Sequence, residues 1–177
     1  MTKRQEFKVL RTYENFELRE YLPCVIAEVR VSGQYSTATS SAFSSLFNYI
    51  SKGNQLSQKI AMTAPVIAAQ SEDNTGHSKW YVSFVMPSGS TFGNMPRPND
   101  SQVTLRELAT ETCVAKSFRG RATDELSQKM AQELRASASK VNMALSDETR
   151  ICRFDPPFKP GFLQYNEIVI PIHLGEM

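Results

Sequence analysis

Histidine is almost missing from this chain: His77 and His173 are the only two in 177 residues. A Ser–His–Asp or Cys–His catalytic arrangement therefore has no suggestive context, and a histidine-based zinc site has too few ligands. The three cysteines, Cys24, Cys113 and Cys152, are an odd number and form no CxxC pair. All lie in apolar or strand-like runs and read as buried free thiols in a reducing compartment. No apolar run reaches membrane-spanning length, and the N-terminal MTKRQEFKVL has no apolar signal core. A cytoplasmic protein with no membrane partner is expected. One-sided charge is also absent. Twenty basic residues face 18 acidic ones, a net charge of +2, so nothing electrostatic calls for a nucleic acid partner. GxGxxG and P-loop patterns are missing as well.

What is present is a core-forming composition, 41% hydrophobic and 21% charged, enough for one ordinary domain. Glu6–Leu10 and Phe16–Glu20 read as strands joined by a turn at Asn15. Val25, Ala27, Val29 and Val31 alternate with Ile26, Glu28, Arg30 and Ser32, the clearest period-2 strand, ended by Gly33. Residues 36–50 change period. Phe43, Leu46, Phe47 and Ile50 form one helical stripe, expected to be core, and Lys52-Gly53-Asn54 stops the helix.

Lys59–Val66, KIAMTAPV, looks extended and buried, with Met62 filling core space. Pro65 argues against an ordinary central strand there. A polar loop spans Ser71–Ser78, and Lys79–Met86 is apolar on both faces, hence a well-covered strand. Pro87–Pro98 is an irregular connection. VTLREL from Val103, then TCVAKSF ending before Gly120, give two more strands. A helix follows over Thr123–Ala138, striped by Leu126, Met130 and Leu134. Arg150–Phe154 and Glu167–Ile172 complete the strands.

The halves superpose without a gap at an offset of 87 residues. Leu18-Arg19-Glu20 falls on Leu105-Arg106-Glu107, Gly33 on Gly120, Phe43 on Met130 and Phe47 on Leu134. This predicts a duplicated α+β domain, two β–β–α units whose sheets pack together. One domain over residues 1–177 is expected, with halves at about 6–86 and 101–173.

KIAMTAPV, then MPRPND at Met95–Asp100, Phe118-Arg119-Gly120, DPPFKP from Asp155 and NEIVI ending at Ile170 span nearly the whole chain. With these motifs in this order the chain resembles the SOUL, or haem-binding protein, family. The resemblance implies a distorted antiparallel β-barrel flanked by two long helices with pseudo-twofold symmetry, similar to gyrase-inhibitor-like effector-binding domains. It implies a soluble, monomeric, non-catalytic protein that holds haem or another porphyrin in an apolar groove between the first helix and a late loop. On that pattern Ser40, Phe43 and Phe47 are the helix contacts, and Phe158, Lys159 and Phe162 the loop contacts. Lys159 matches a lysine that meets a haem propionate. The family's two basic helix positions fall on Ser40 and Asn48, and its basic residue before Asn-Glu on Tyr165.

Read from the residues alone, both histidines belong at the surface, and no metal ligands emerge. A bound haem is expected to rest on burial of its ring, without strong axial ligation. Phe158, Phe162, Leu163 and Tyr165 cluster in a Pro/Gly-rich loop, where apolar groups mark either a binding lip or a loop anchor. Arg119 and Arg121 read as a solvated pair. The alternative reading is a module for another amphiphile, or for a partner's apolar helix, without haem.

Overall fold

The computed structural model describes residues 2–72 and 78–173. In chain order the elements are β1 (Lys3–Arg4), β2 (Phe7–Thr12), β3 (Glu17–Tyr21), β4 (Cys24–Ser32), α1 (Tyr35–Ile50), β5 (Thr63–Glu72) and β6 (Ser78–Val85). Then come β7 (Thr104–Leu108), β8 (Glu111–Arg119), α2 (Asp124–Lys140), β9 (Thr149–Arg153), a 3-10 turn at Gly161–Leu163 and β10 (Tyr165–Pro171). The sheet runs β2-β3-β8-β10-β9-β5-β6-β4-β7, and β1 lies parallel beside β5. It curls into an antiparallel half-barrel that carries the two helices, an α+β fold.

Strand periodicity divides the core. On β4, Val25, Ala27 and Val29 point to the helices, and so do Trp80, Val82 and Phe84 on β6. They meet Ala42, Leu46 and Tyr49 of α1 and Ala131 and Leu134 of α2. The opposite face collects Ile26, Ile67, Val85, Cys113, Cys152 and Val169 into a second cluster. Full burial of a side chain such as Leu46 or Leu134 contributes about 1.5–3 kcal/mol. Cys113 and Cys152 are buried free thiols and Cys24 a half-buried one. Burial pushes the Cys113 thiol up to about 12. No helix among the described residues is long and apolar enough to cross a membrane.

The structure corrects the reading of Lys59–Val66. Its C-terminal part enters β5, a central strand bonded to both β6 and β9. Pro65 is tolerated because the β5–β6 register shifts between Thr63 and Val66, where the ladder needs no donor. The Ala64–Pro65 peptide is cis. Met62 does not fill the core; it is 37% exposed.

The helix stripes also differ from expectation. α1 buries Ala38, Ala42, Leu46, Tyr49 and Ile50, whereas Phe43 is half-buried and Phe47 exposed. The small alanines let the helix lie close on the sheet, and Tyr49 donates its hydroxyl to the Pro96 carbonyl at 2.7 Å. In α2 the buried line is Ser127, Ala131, Leu134 and Ala138, with Leu126 and Met130 at its edge.

An offset of 87 carries β3 onto β7 and β4 onto β8, residue for residue. It also carries Gly33 (φ 119°) onto Gly120 (φ 121°), both in the region that favours glycine. The helices then slip by two residues, because the link from Gly120 to Asp124 is longer than that from Gly33 to Tyr35. Exposed Phe47 therefore does not share the packing of buried Leu134.

Candidate functional site

Each helix follows a strand-ending glycine, and the two helix starts face a common cleft of about 1290 Å³. Its walls are the first turns of α1 and α2, the ends of β4 and β9, the start of β6, and Pro157 from the loop after β9. Hydroxyls and amides dominate the α1 side, with Ser36, Thr39 and Ser40 near Gln70 and Gln164. Lys79, Arg121 and Arg153 contribute positive charge, and Asp124 and Glu125 negative charge.

The two helix starts are not alike. At α2 the Thr123 side chain accepts the Leu126 amide, and Asp124 and Glu125 occupy the first turn. At α1 the cap residue is Gln34, which makes no side-chain cap bond, and no acid sits in the first turn. The first amides of α1 thus lack a side-chain acceptor. Below them the Tyr35 ring tilts on Trp80 with centroids 5.0 Å apart. The Tyr35 hydroxyl and the Trp80 indole nitrogen are buried without a hydrogen-bond partner. Burial pushes the Tyr35 phenol up, while Arg153 pulls it down and Asp124 pushes it up, so both charges act on this hydroxyl.

Ser36 and Ser40 put one strip of α1 into the cleft. At 3.6 residues per turn, Phe43 and Phe47 continue the same strip away from it. Phe43 sets its edge on Phe84 at 5.3 Å and stacks with Phe47 at 6.0 Å, leaving Phe47 50% exposed. Ser40 donates its hydroxyl to the Ser36 carbonyl at 2.9 Å.

The loop after β9 is braced by Asp155. One carboxylate oxygen accepts from the Lys159 ammonium at 2.9 Å, and the other from the Tyr165 amide at 2.7 Å. The Tyr165 amide, then Lys159, holds the Asp155 carboxyl below its usual range. Arg119, an exposed side chain, donates to the Leu163 carbonyl at 3.0 Å and lies over the Tyr165 ring, which ties it to the loop. Phe158 and Phe162 are the most exposed large apolar residues described, at 89% and 76%.

Of the sequence-predicted contacts, then, only Ser40 lines the cleft, and Phe43 and Phe47 lie further along α1, outside its lining. Phe158, Lys159 and Phe162 stand on the loop whose Pro157 reaches it. Asn48 is exposed on α1. Tyr165 turns to the other face, where its hydroxyl donates to Glu167 at 2.7 Å. A cavity there measures only about 80 Å³ and is crowded by Arg19, which donates two bonds to Glu167 at 2.9 and 2.8 Å. His173 is exposed, and His77 lies outside the described residues. Among the described residues no cluster of His, Cys, Asp or Glu is placed to hold a metal ion.

Sequence reasoning missed Tyr35, Trp80 and Arg153 as cleft residues. Trp80 sits in a strand apolar on both faces, and nothing in that pattern says that its indole nitrogen lacks an acceptor. Arg153 is a strand-end arginine whose position depends on the β5–β9 pairing.

The family profile described as SOUL heme-binding protein matches residues 2–171. The chain is 28% identical to heme-binding protein 1 of Xenopus laevis over 148 residues, which cover 82% of this chain and 77% of that protein. It is 32% identical to heme-binding protein 2 of Homo sapiens over 138 residues, 76% of this chain and 66% of that protein. Among solved structures it is similar to the C-terminal domain of EcmrR, with TM-score 0.65, 14% identity and coverage of 89% of this chain and 96% of that one. It is also similar to SAV2435 bound to tetraphenylphosphonium, with TM-score 0.54, 10% identity and coverage of 90% and 94%. At these identities the structural likeness speaks for the fold alone.

Proposed function

The chain belongs to the SOUL haem-binding protein family, and from that premise we propose that it binds a tetrapyrrole between α1 and the loop after β9. The observation that carries the reading is the α1 strip, where Ser36 and Ser40 in a large polar cleft are followed by half-buried Phe43 stacked with exposed Phe47. Such a surface matches a flat ring with one polar edge. The cleft exceeds the few hundred to about 1,000 Å³ of ordinary small-molecule pockets. Phe158 and Phe162 add apolar surface on the loop, where exposed aromatics serve as a lip over a ligand.

The residues fit the group in two respects. The aromatic strip supplies ring contact, and the cleft supplies donors for carboxylates. Haem, when bound, would add an iron centre, and the described residues of the cleft lining offer it no imidazole, thiolate or thioether. Affinity is therefore assigned to ring burial. Lys159 gives one of its three donors to Asp155, so a ligand carboxylate shares that ammonium with Asp155.

The test is titration of the purified protein with hemin, followed in the Soret band. A saturable change at micromolar protein is expected; no saturable change sinks the reading. The alternative is a module for another amphiphile. SAV2435 was solved with an apolar cation, but here Arg121 and Arg153 line the cleft together with the uncapped start of α1, which favours an anionic ligand. Tighter binding of tetraphenylphosphonium than of hemin would select the alternative.

A further inference from the structure

We infer that Arg121 and Arg153, together with the uncapped start of α1, form the carboxylate-receiving end of the cleft. This rests on the tetrapyrrole reading and says where the ligand's charged edge goes. Arginines in this protein are mostly engaged. Arg19, Arg106, Arg119, Arg135 and Arg150 donate to carboxylates or carbonyls. Arg4, Arg11 and Arg30 lie over aromatic rings. Among the described residues that leaves only Arg97, Arg121 and Arg153 without a side-chain partner, and two of these three line the cleft. A guanidinium presents a fork of donors matched to a carboxylate.

Three further observations point to an acceptor at the same place. The Trp80 indole is 2% exposed and the Tyr35 ring 7%, and their polar atoms have no partner in the protein. A buried donor without an acceptor costs stability that a ligand oxygen can restore. The first amides of α1 also lack a side-chain acceptor, and a helix start of this kind favours an anion. Finally, Lys159 is engaged by Asp155, and the family's basic helix positions are Ser40 and Asn48 here. The carboxylate partners absent from α1 are thus supplied from the opposite wall. Asp124 and Glu125 also face the cleft. Asp124 accepts from Gln128 at 3.4 Å, and both acids sit in the first turn of α2, where the helix dipole stabilises them.

The experiment compares protoporphyrin IX with its dimethyl ester, titrated by fluorescence against the wild type, Arg121→Gln/Arg153→Gln, Arg153→Lys and Lys159→Ala. Circular dichroism checks that each variant is folded. The double variant is expected to bind the diacid about ten-fold or more weakly, as loss of a charge-assisted bond implies, and the ester unchanged. Arg153→Lys, which keeps the charge, should fall between the wild type and the double variant. Equal weakening for acid and ester overturns the clamp while leaving the tetrapyrrole reading intact. So does a Lys159→Ala loss that matches the whole preference for the acid. A wild type that binds neither porphyrin overturns the tetrapyrrole reading, and the clamp with it. If Arg153→Gln disturbs folding, Arg121→Gln with Arg153→Lys carries the same comparison.

Discussion

Leu18-Arg19-Glu20 and Leu105-Arg106-Glu107 hold the same station in the two halves and use it differently. Arg19 is buried on the inner face, with two bonds to Glu167, one to Glu17 and one to the Tyr21 hydroxyl. Arg106 is half-exposed and reaches Glu28 through one nitrogen at 2.7 Å. The helices diverge in the same way. α1 shows solvent Phe47 and a row of serines, and α2 shows Lys129, Gln132 and Glu133. Matching register positions on β3 and β7 thus carry different contacts, and the two helices present different residues to solvent.

The largest expected test of this comparison is Arg19→Ala against Arg106→Ala. Removing Arg19 leaves Glu167 buried without its cation and should cost about 3–5 kcal/mol in denaturant unfolding. Arg106→Ala also strands a buried carboxylate, Glu28, but the loss should be smaller, since that pair is a single bond from an exposed arginine whereas Arg19 is itself buried and makes four. Equal losses would break the contrast. Next comes the pair Phe47→Ala and Lys129→Ala. The first should weaken porphyrin binding about ten-fold with little change in stability, through lost apolar contact. The second should leave binding alone. A comparable effect from Lys129 would remove the functional difference between the helices.

A smaller effect concerns the caps. Thr123→Ala should cost about 1 kcal/mol, while Gln34→Ser should add a few tenths to about 1 kcal/mol by supplying the acceptor that α1 lacks. Thermal unfolding of both variants reads the signs directly. The smallest belongs to the loop. The carboxyl of Asp155 is held below its usual range, so its brace contributes fully above the ordinary carboxylate pKa and is lost as pH falls through the depressed value. Protection of the Tyr165 amide, relative to its intrinsic exchange rate, should therefore fall only in acid, and Asp155→Asn should remove most of that acid dependence.

The sequence made most of the scaffold legible because its strands are amphipathic or buried at clear periods, and because Gly33 and Gly120 punctuate them. Pro65 misled for a local reason. A bulge lets proline sit in a central ladder, and no period reports a bulge. The stripe on α1 was displaced because alanines at 38 and 42 pack as closely as larger residues elsewhere. Of the residues to which the motifs point, Ser40 is the one that lines the cleft. The rest of the lining was not legible, since Tyr35, Trp80, Arg121 and Arg153 meet only through tertiary pairing.

That pairing has a consequence for how the chain assembles. β3 lies against β8 and β7 against β4, so each of these strands pairs with one from the other end of the chain's order. Glu17 finds Ala115 and Glu28 finds Thr104 only after long stretches of intervening chain have been ordered. Closing such loops exacts its entropy before the contacts form, which slows folding and joins both halves in one late step. A nascent chain that has emerged only as far as α1 holds β3 and β4 with neither exchange partner available. The cleft, which draws walls from both halves, comes into being only when that last exchange is complete.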